Sequence, residues 1–138
     1  MKTNQTSMSC TRYWLVLFLL ILTIPVFAES ARLTINNNSE RDLTVKVMKN
    51  SGGLYTTLYI GPKQSRTCYI QQQGYYYTKV KAERSRFDTM YSKDDAFYVQ
   101  NNSTGYSVLE LTYWIQESQY PQSSGTRISK SQFESNEK

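Results

Sequence analysis

Apolar and polar residues alternate in run after run of this chain, and turn-forming residues close each run. Successive side chains of a strand point to opposite faces, so a period of two predicts strands with one buried face. "RLTIN" puts Leu33 and Ile35 on one side, and "DLTVKVMK" aligns Leu43, Val45 and Val47. "NSGG" supplies positive-φ positions for a tight turn, and "LYTTLYI" then groups Leu54, Leu58 and Ile60 against Tyr55 and Tyr59. After Gly61-Pro62, "RTCYIQ" aligns Cys68 with Ile70. "GYYYTKVKAER" follows, then "AFYVQ" with Phe97 and Val99, then "YSVLELTYWIQ" with Leu109, Leu111, Tyr113 and Ile115. No run of helical period competes. Short strands at regular spacing with polar turns predict an all-β fold, a single antiparallel β-sandwich of about seven strands, Ig-like or transthyretin-like. There is no Cys–Trp–Cys framework, so an antibody-type domain is not indicated.

Three segments are expected. Residues 1–28 read as a signal peptide: Lys2 and Arg12 without acids, an uncharged run from Trp14 to Phe27, and "VFAES" with small or branched residues before a cut after Ala28. That run is shorter than the roughly 20 residues of a membrane span, so no stable anchor is expected after cleavage. Cys10 precedes the run, which argues against a lipid anchor. Residues 29–116 form the sandwich. Residues 117–138, "ESQYPQSSGTRISKSQFESNEK", are polar and serine-rich and read as a mobile tail, with one short docked segment near "RISKSQFE". The expected location is exported, in the periplasm or outside the cell.

Cleavage removes Lys2 and Arg12, so fourteen basic and eleven acidic residues remain and the net charge falls from +5 to +3. That is far below the basic footprint of a nucleic-acid binder. Cys68 is then the only cysteine, so no intramolecular disulfide forms. It reads as a small buried hydrophobe, with an intermolecular bridge as the alternative.

"YYYTKVKAER" splits by parity. Tyr76, Thr78, Val80 and Ala82 suit the core; Tyr75, Tyr77, Lys79, Lys81 and Glu83 face the other way. An ordinary two-faced strand accounts for this, since tyrosines pair well across strands and lysines guard sheet edges. The sharper reading makes Tyr75, Tyr77, Lys79 and Lys81 a binding face, with rigid aromatic rings for a protein or glycan partner and ammonium groups for anions.

Catalysis has little to work with. Histidine is absent, which removes the commonest general base and metal ligand. One cysteine makes no zinc cluster, and no phosphate-binding loop is present. Asp94-Asp95 reads as turn chemistry. A glycosidase-like pair would have to come from distant residues such as Asp42, Glu83, Asp88 or Glu110. No catalytic residue, metal site or cofactor is assigned. The sequons at Asn37, Asn101 and Asn102 read as Asn-rich turns.

The order of pieces "LTINNNSERDLTVKVMK", "GGLYTTLYIGPKQSRTCYI", "GYYYTKVKA", "DDAFYVQ" and "ISKSQFE" resembles small signal-bearing exported β-sandwich proteins of Bacteroidota. The resemblance covers most of the mature chain. It implies the periplasm or exterior of a diderm bacterium and transfers no catalytic residue. The leading expectation is a non-enzymatic exported domain that binds a protein or glycan. The alternatives are an assembly subunit that pairs through edge strands and a hydrolase with an unrecognised carboxylate pair.

Overall fold

The computed structural model describes residues 29–86 and 88–136; the expected signal segment lies outside them. The fold is all-β. Its strands are β1 (Ala31–Asn37), β2 (Asp42–Lys49), β3 (Leu54–Ile60), β4 (Ser65–Ile70), β5 (Gly74–Ser85), β6 (Asp88–Lys93), β7 (Phe97–Val99), β8 (Asn101–Asn102), β9 (Gly105–Tyr106), β10 (Val108–Tyr113), β11 (Ile115–Gln116), β12 (Gln122–Ser123) and β13 (Thr126–Arg127). A short helix, α1 (Lys130–Glu134), follows them. Among the described residues no helix is long and apolar enough to cross a membrane.

Two sheets share one core. The smaller runs β10-β1-β4 and the larger β13-β6-β5-β2-β3, with β7 added to the start of β5. Leu33 and Ile35 from β1 and Ile70 from β4 meet Leu43, Val45 and Val47 from β2 and Val80 and Ala82 from β5. Each fully buried side chain of the Val, Leu or Ile type contributes roughly 1.5–3 kcal/mol. The alternation read from the sequence fixes the inner faces of β1, β2 and β5, but on β3 the register shift opposite Val47–Met48 leaves Leu54 exposed and turns Tyr55, read as facing away, onto the core.

Four features depart from the sequence reading. First, β6 was not among the seven expected strands. Its inward positions are Met90 and Ser92, so the apolar rhythm is missing, and buried Ser92 instead donates to the Tyr113 hydroxyl at 3.3 Å. Second, the pairing is not wholly antiparallel: β1 lies parallel to β10, with Leu33 opposite Leu109 and Ile35 opposite Leu111. Parallel neighbours need a long connection, and here most of the domain supplies it.

Third, the segment read as a tail with one short docked piece near "RISKSQFE" folds back over more of its length. β12 pairs with β11, β13 adds to β6 with Thr126 opposite Lys93, and α1 packs on the outer face of the larger sheet. Ser129 and Gln132 form a reciprocal capping box that starts the helix. Phe133 is buried against Tyr91, with ring centroids 5.4 Å apart. Gly125 sits at φ +78°, and a Cβ there would lie 2.8 Å from the Lys93 carbonyl, so glycine is required where the chain turns onto β6.

Fourth, Arg41, in the β1–β2 loop and not singled out from the sequence, is 1% exposed. Its Nε and Nη2 donate to the two oxygens of Glu117 at 2.8 and 3.0 Å, and Nη1 donates to Asp88 Oδ1 at 2.7 Å. This bidentate pairing ties the β1–β2 loop to the start of the C-terminal segment.

Candidate functional site

The four residues of the expected binding face do not form one surface. β5 runs twelve residues, and different neighbours cover different parts of its outer row. Tyr75 is open, at 58% exposure. Tyr77 and Lys79, expected in solvent, are 2% and 3% exposed. Their parity is as read, but this face is not a solvent face. The Lys79 ammonium donates to the carbonyls of Gln132 at 2.7 Å and Ser135 at 2.8 Å, so the C-terminal segment covers it. Lys46, opposite Lys79 on β2, donates to the Phe133 and Glu134 carbonyls from above the Phe133 ring. Lys93, opposite Lys79 on β6, stands 4.4 Å from the centre of the Tyr77 ring. Burial, reinforced by Lys46 and Lys93, holds the Lys79 pKa below its ordinary value. Lys81 is half-buried and pairs with Glu83 at 2.7 Å.

What remains is a cleft at the start of β5. Two turns frame it. In one, Lys49 closes onto Gly53 with Gly52 and Gly53 at positive φ; the other is the Gln71–Gln73 turn between β4 and β5. Tyrosine hydroxyls brace the second turn. Tyr76 donates to the Gln72 carbonyl at 2.7 Å, and Tyr55 donates to the Tyr69 carbonyl while accepting from the Gln71 amide. Asn101 adds bonds to the Ile70 and Gln71 carbonyls. The resulting hollow of about 420 Å³ is lined by Lys49, Asn50, Ser51, Gln72, Gln73 and Tyr75. The Tyr75 ring pairs across the strands with Tyr98, itself 46% exposed, at 5.0 Å between centroids. The site therefore offers rigid aromatic area, several neutral donors and acceptors, and a single ammonium group.

The other candidates are spent structurally or stand apart. Asp88 serves Arg41, Glu83 serves Lys81, and Glu110 accepts from the Asn36 side chain. Asp42 lies opposite Glu83 in the β2–β5 register. Asp94 accepts from Thr78 at 2.6 Å, and burial raises its pKa. Among the described residues no three His, Cys, Asp or Glu side chains gather as metal ligands. Cys68 is free and buried opposite Leu33, and burial raises its thiol pKa. Asn37, first of the sequon residues, is buried, and its amide donates to the Arg41, Ile60 and Gly61 carbonyls.

Sequence parity located Tyr75 but not Tyr98, Gln72, Gln73 or Asn50, which come from three separate turns and strands. The run of glutamines before Gly74 was the available signal. Set against protein-family models, curated proteins and solved structures, the chain matches none of them.

Proposed function

We propose that this is an exported, non-enzymatic β-domain that binds a glycan in the cleft at the start of β5. One observation carries the reading: the exposed Tyr75–Tyr98 pair stands beside a hollow lined by amides. A sugar ring presents an apolar face that stacks on an aromatic ring, and its hydroxyls match groups that both donate and accept. Gln72, Gln73 and Asn50 are such groups, and Lys49 adds one cation for an acidic sugar. The tyrosines are held before any ligand arrives, which lowers the ordering cost of binding.

Titration with a panel of neutral and uronic-acid oligosaccharides, followed by amide chemical shifts, tests this. Shifts should concentrate at residues 49–51, 72–75 and 98. Tyr75→Ala and Tyr98→Ala should abolish them while leaving stability within about 0.5 kcal/mol, as for exposed positions. Undiminished binding in the double variant, or shifts centred elsewhere, would remove the cleft as the site. Export is tested separately: secreted protein should begin at Glu29 by N-terminal sequencing. An assembly role is the second reading, and the free edge of the smaller sheet favours it.

A further inference from the structure

The smaller sheet has three strands and the larger has six. Leu109 and Leu111 of β10 face the core but are only half-buried. Among the described residues β10 is the end of its sheet. Ser107 and Tyr113 accept from β1 through their carbonyls, at Arg32 N and Asn38 N. Backbone groups alternate sides along a strand, so those of Val108, Glu110 and Thr112 point away from β1 to the open edge.

This edge lacks the protections the others carry. On β4, the Tyr55 hydroxyl and the Asn101 amide take the Tyr69 and Ile70 carbonyls. β6 is covered by β13. β3 lies against the register shift at Val47–Met48 and ends at Gly61-Pro62. "VLELT" has no proline or lysine, and its pairing with β1 runs without a bulge. Unprotected flat edges are templates for another strand. Both ends of the gap are defined. Ser107 donates to the Gln100 carbonyl before it, and Ser124 donates to the Trp114 carbonyl after it.

We infer that the β10 edge is a docking site for one extended strand of another protein, reading apolar–basic–apolar at its centre. The two apolar side chains would lie beside Leu109 and Leu111 and bury what those side chains leave exposed. The basic side chain would lie on the outer face beside Glu110. A second copy of β10 is disfavoured by its own sequence. Antiparallel pairing confined to residues 108–112 sets Glu110 against Glu110, and like charges directly opposite are destabilising. This interface is independent of the cleft at Tyr75.

The test uses acetylated, amidated peptides centred on Val-Lys-Val and Val-Glu-Val, titrated into the purified protein and followed by amide shifts. The Val-Lys-Val peptide should shift residues 107–112 and leave 72–75 unmoved. It should bind more tightly than Val-Glu-Val, by up to about fivefold, the span of a cross-strand pair. Glu110→Lys should reverse that preference. Thr112→Pro removes an outward N–H without touching a bond to β1 and should abolish binding at unchanged fold. If that variant unfolds, Thr112→Lys, which guards the edge with a charge, should weaken the Val-Lys-Val peptide instead. Absence of shifts at millimolar peptide, an unreversed preference, or a concentration-dependent homodimer through residues 108–112 would each overturn the inference.

Discussion

Tyr76 and Tyr77 are neighbours on β5, and each is 2% exposed. Tyr76 packs in the shared core, edge-on to Tyr55 at 5.5 Å and stacked near Phe97, with its hydroxyl bonded to Gln72. Tyr77 lies on the opposite face, beside Lys93 and the row that the C-terminal segment covers. Its hydroxyl is buried and has no hydrogen-bond partner among the described residues. One face was closed by residues that share its strand pattern. The other was closed by a segment some fifty positions further on. Parity decides which way a side chain points; what it meets there is decided elsewhere in the chain.

The largest expected effect tests whether both faces are buried. Tyr76→Ala and Tyr77→Ala should each cost about 3–5 kcal/mol in chemical denaturation, as for large-to-small changes at buried aromatics. A near-zero cost for Tyr77→Ala would mean the outer face is open. Next comes the cover itself. Phe133→Ala removes the buried anchor of α1 and should cost roughly 1.5–3 kcal/mol. The loss should be local: amide exchange should accelerate for residues 126–136 while β1 and β2 stay protected. Uniform acceleration would show that the segment opens only with the whole domain.

Glu117 supplies a third test, because it anchors the same segment through Arg41. Hydrogen bonds to the Arg41 guanidinium, opposed by some burial, hold its pKa below the usual 4.5. A carboxyl depressed in the folded state stabilises fully above its unfolded pKa, and that stability is lost as pH falls through the folded value. Stability should therefore decline below about pH 4.5, and Glu117→Gln should both destabilise at pH 7 and flatten that decline. An unchanged slope would mean other carboxyls govern acid unfolding. The smallest effect is the most discriminating. Tyr76→Phe should lose about 0.5–1.5 kcal/mol with its bond to Gln72, whereas Tyr77→Phe should be neutral or stabilising, because it removes an unsatisfied buried hydroxyl. Equal losses from both would reveal a partner for the Tyr77 hydroxyl.

The inner faces of β1, β2 and β5 were legible because each strand carries three or more apolar residues in strict alternation. β6 was not, since Ser92 occupies an inward position and its hydroxyl is satisfied by Tyr113. The docked helix was half legible: Ser129 and Gln132 spell a capping box three residues apart, and Ile128 and Phe133 are the bulky apolar residues that flank it. β13 has two residues, too few for any rhythm. Arg41 reads as surface because its two carboxylate partners lie 47 and 76 positions away. The cleft was legible at Tyr75 alone, since its other walls come from separate turns. The parallel β1–β10 pair was invisible in principle, because alternation names a face and never a neighbour.

That pair also sets a clock. β1 is the middle strand of its sheet, yet Leu33 waits for Leu109 before its second side is paired. At ribosomal rates of about 5–20 residues per second, the intervening chain takes roughly 4–15 s to be made. Long-range pairings of this kind also close slowly once the chain is complete. Through that interval the apolar side of β1 can already pack on β2 and β5, but β4 is its one partner within the sheet, and its other backbone edge is open to any strand that passes. The chain is most vulnerable to wrong partners before residue 113 emerges, so factors that hold it unfolded until then should raise the yield of native protein more than factors that act afterwards.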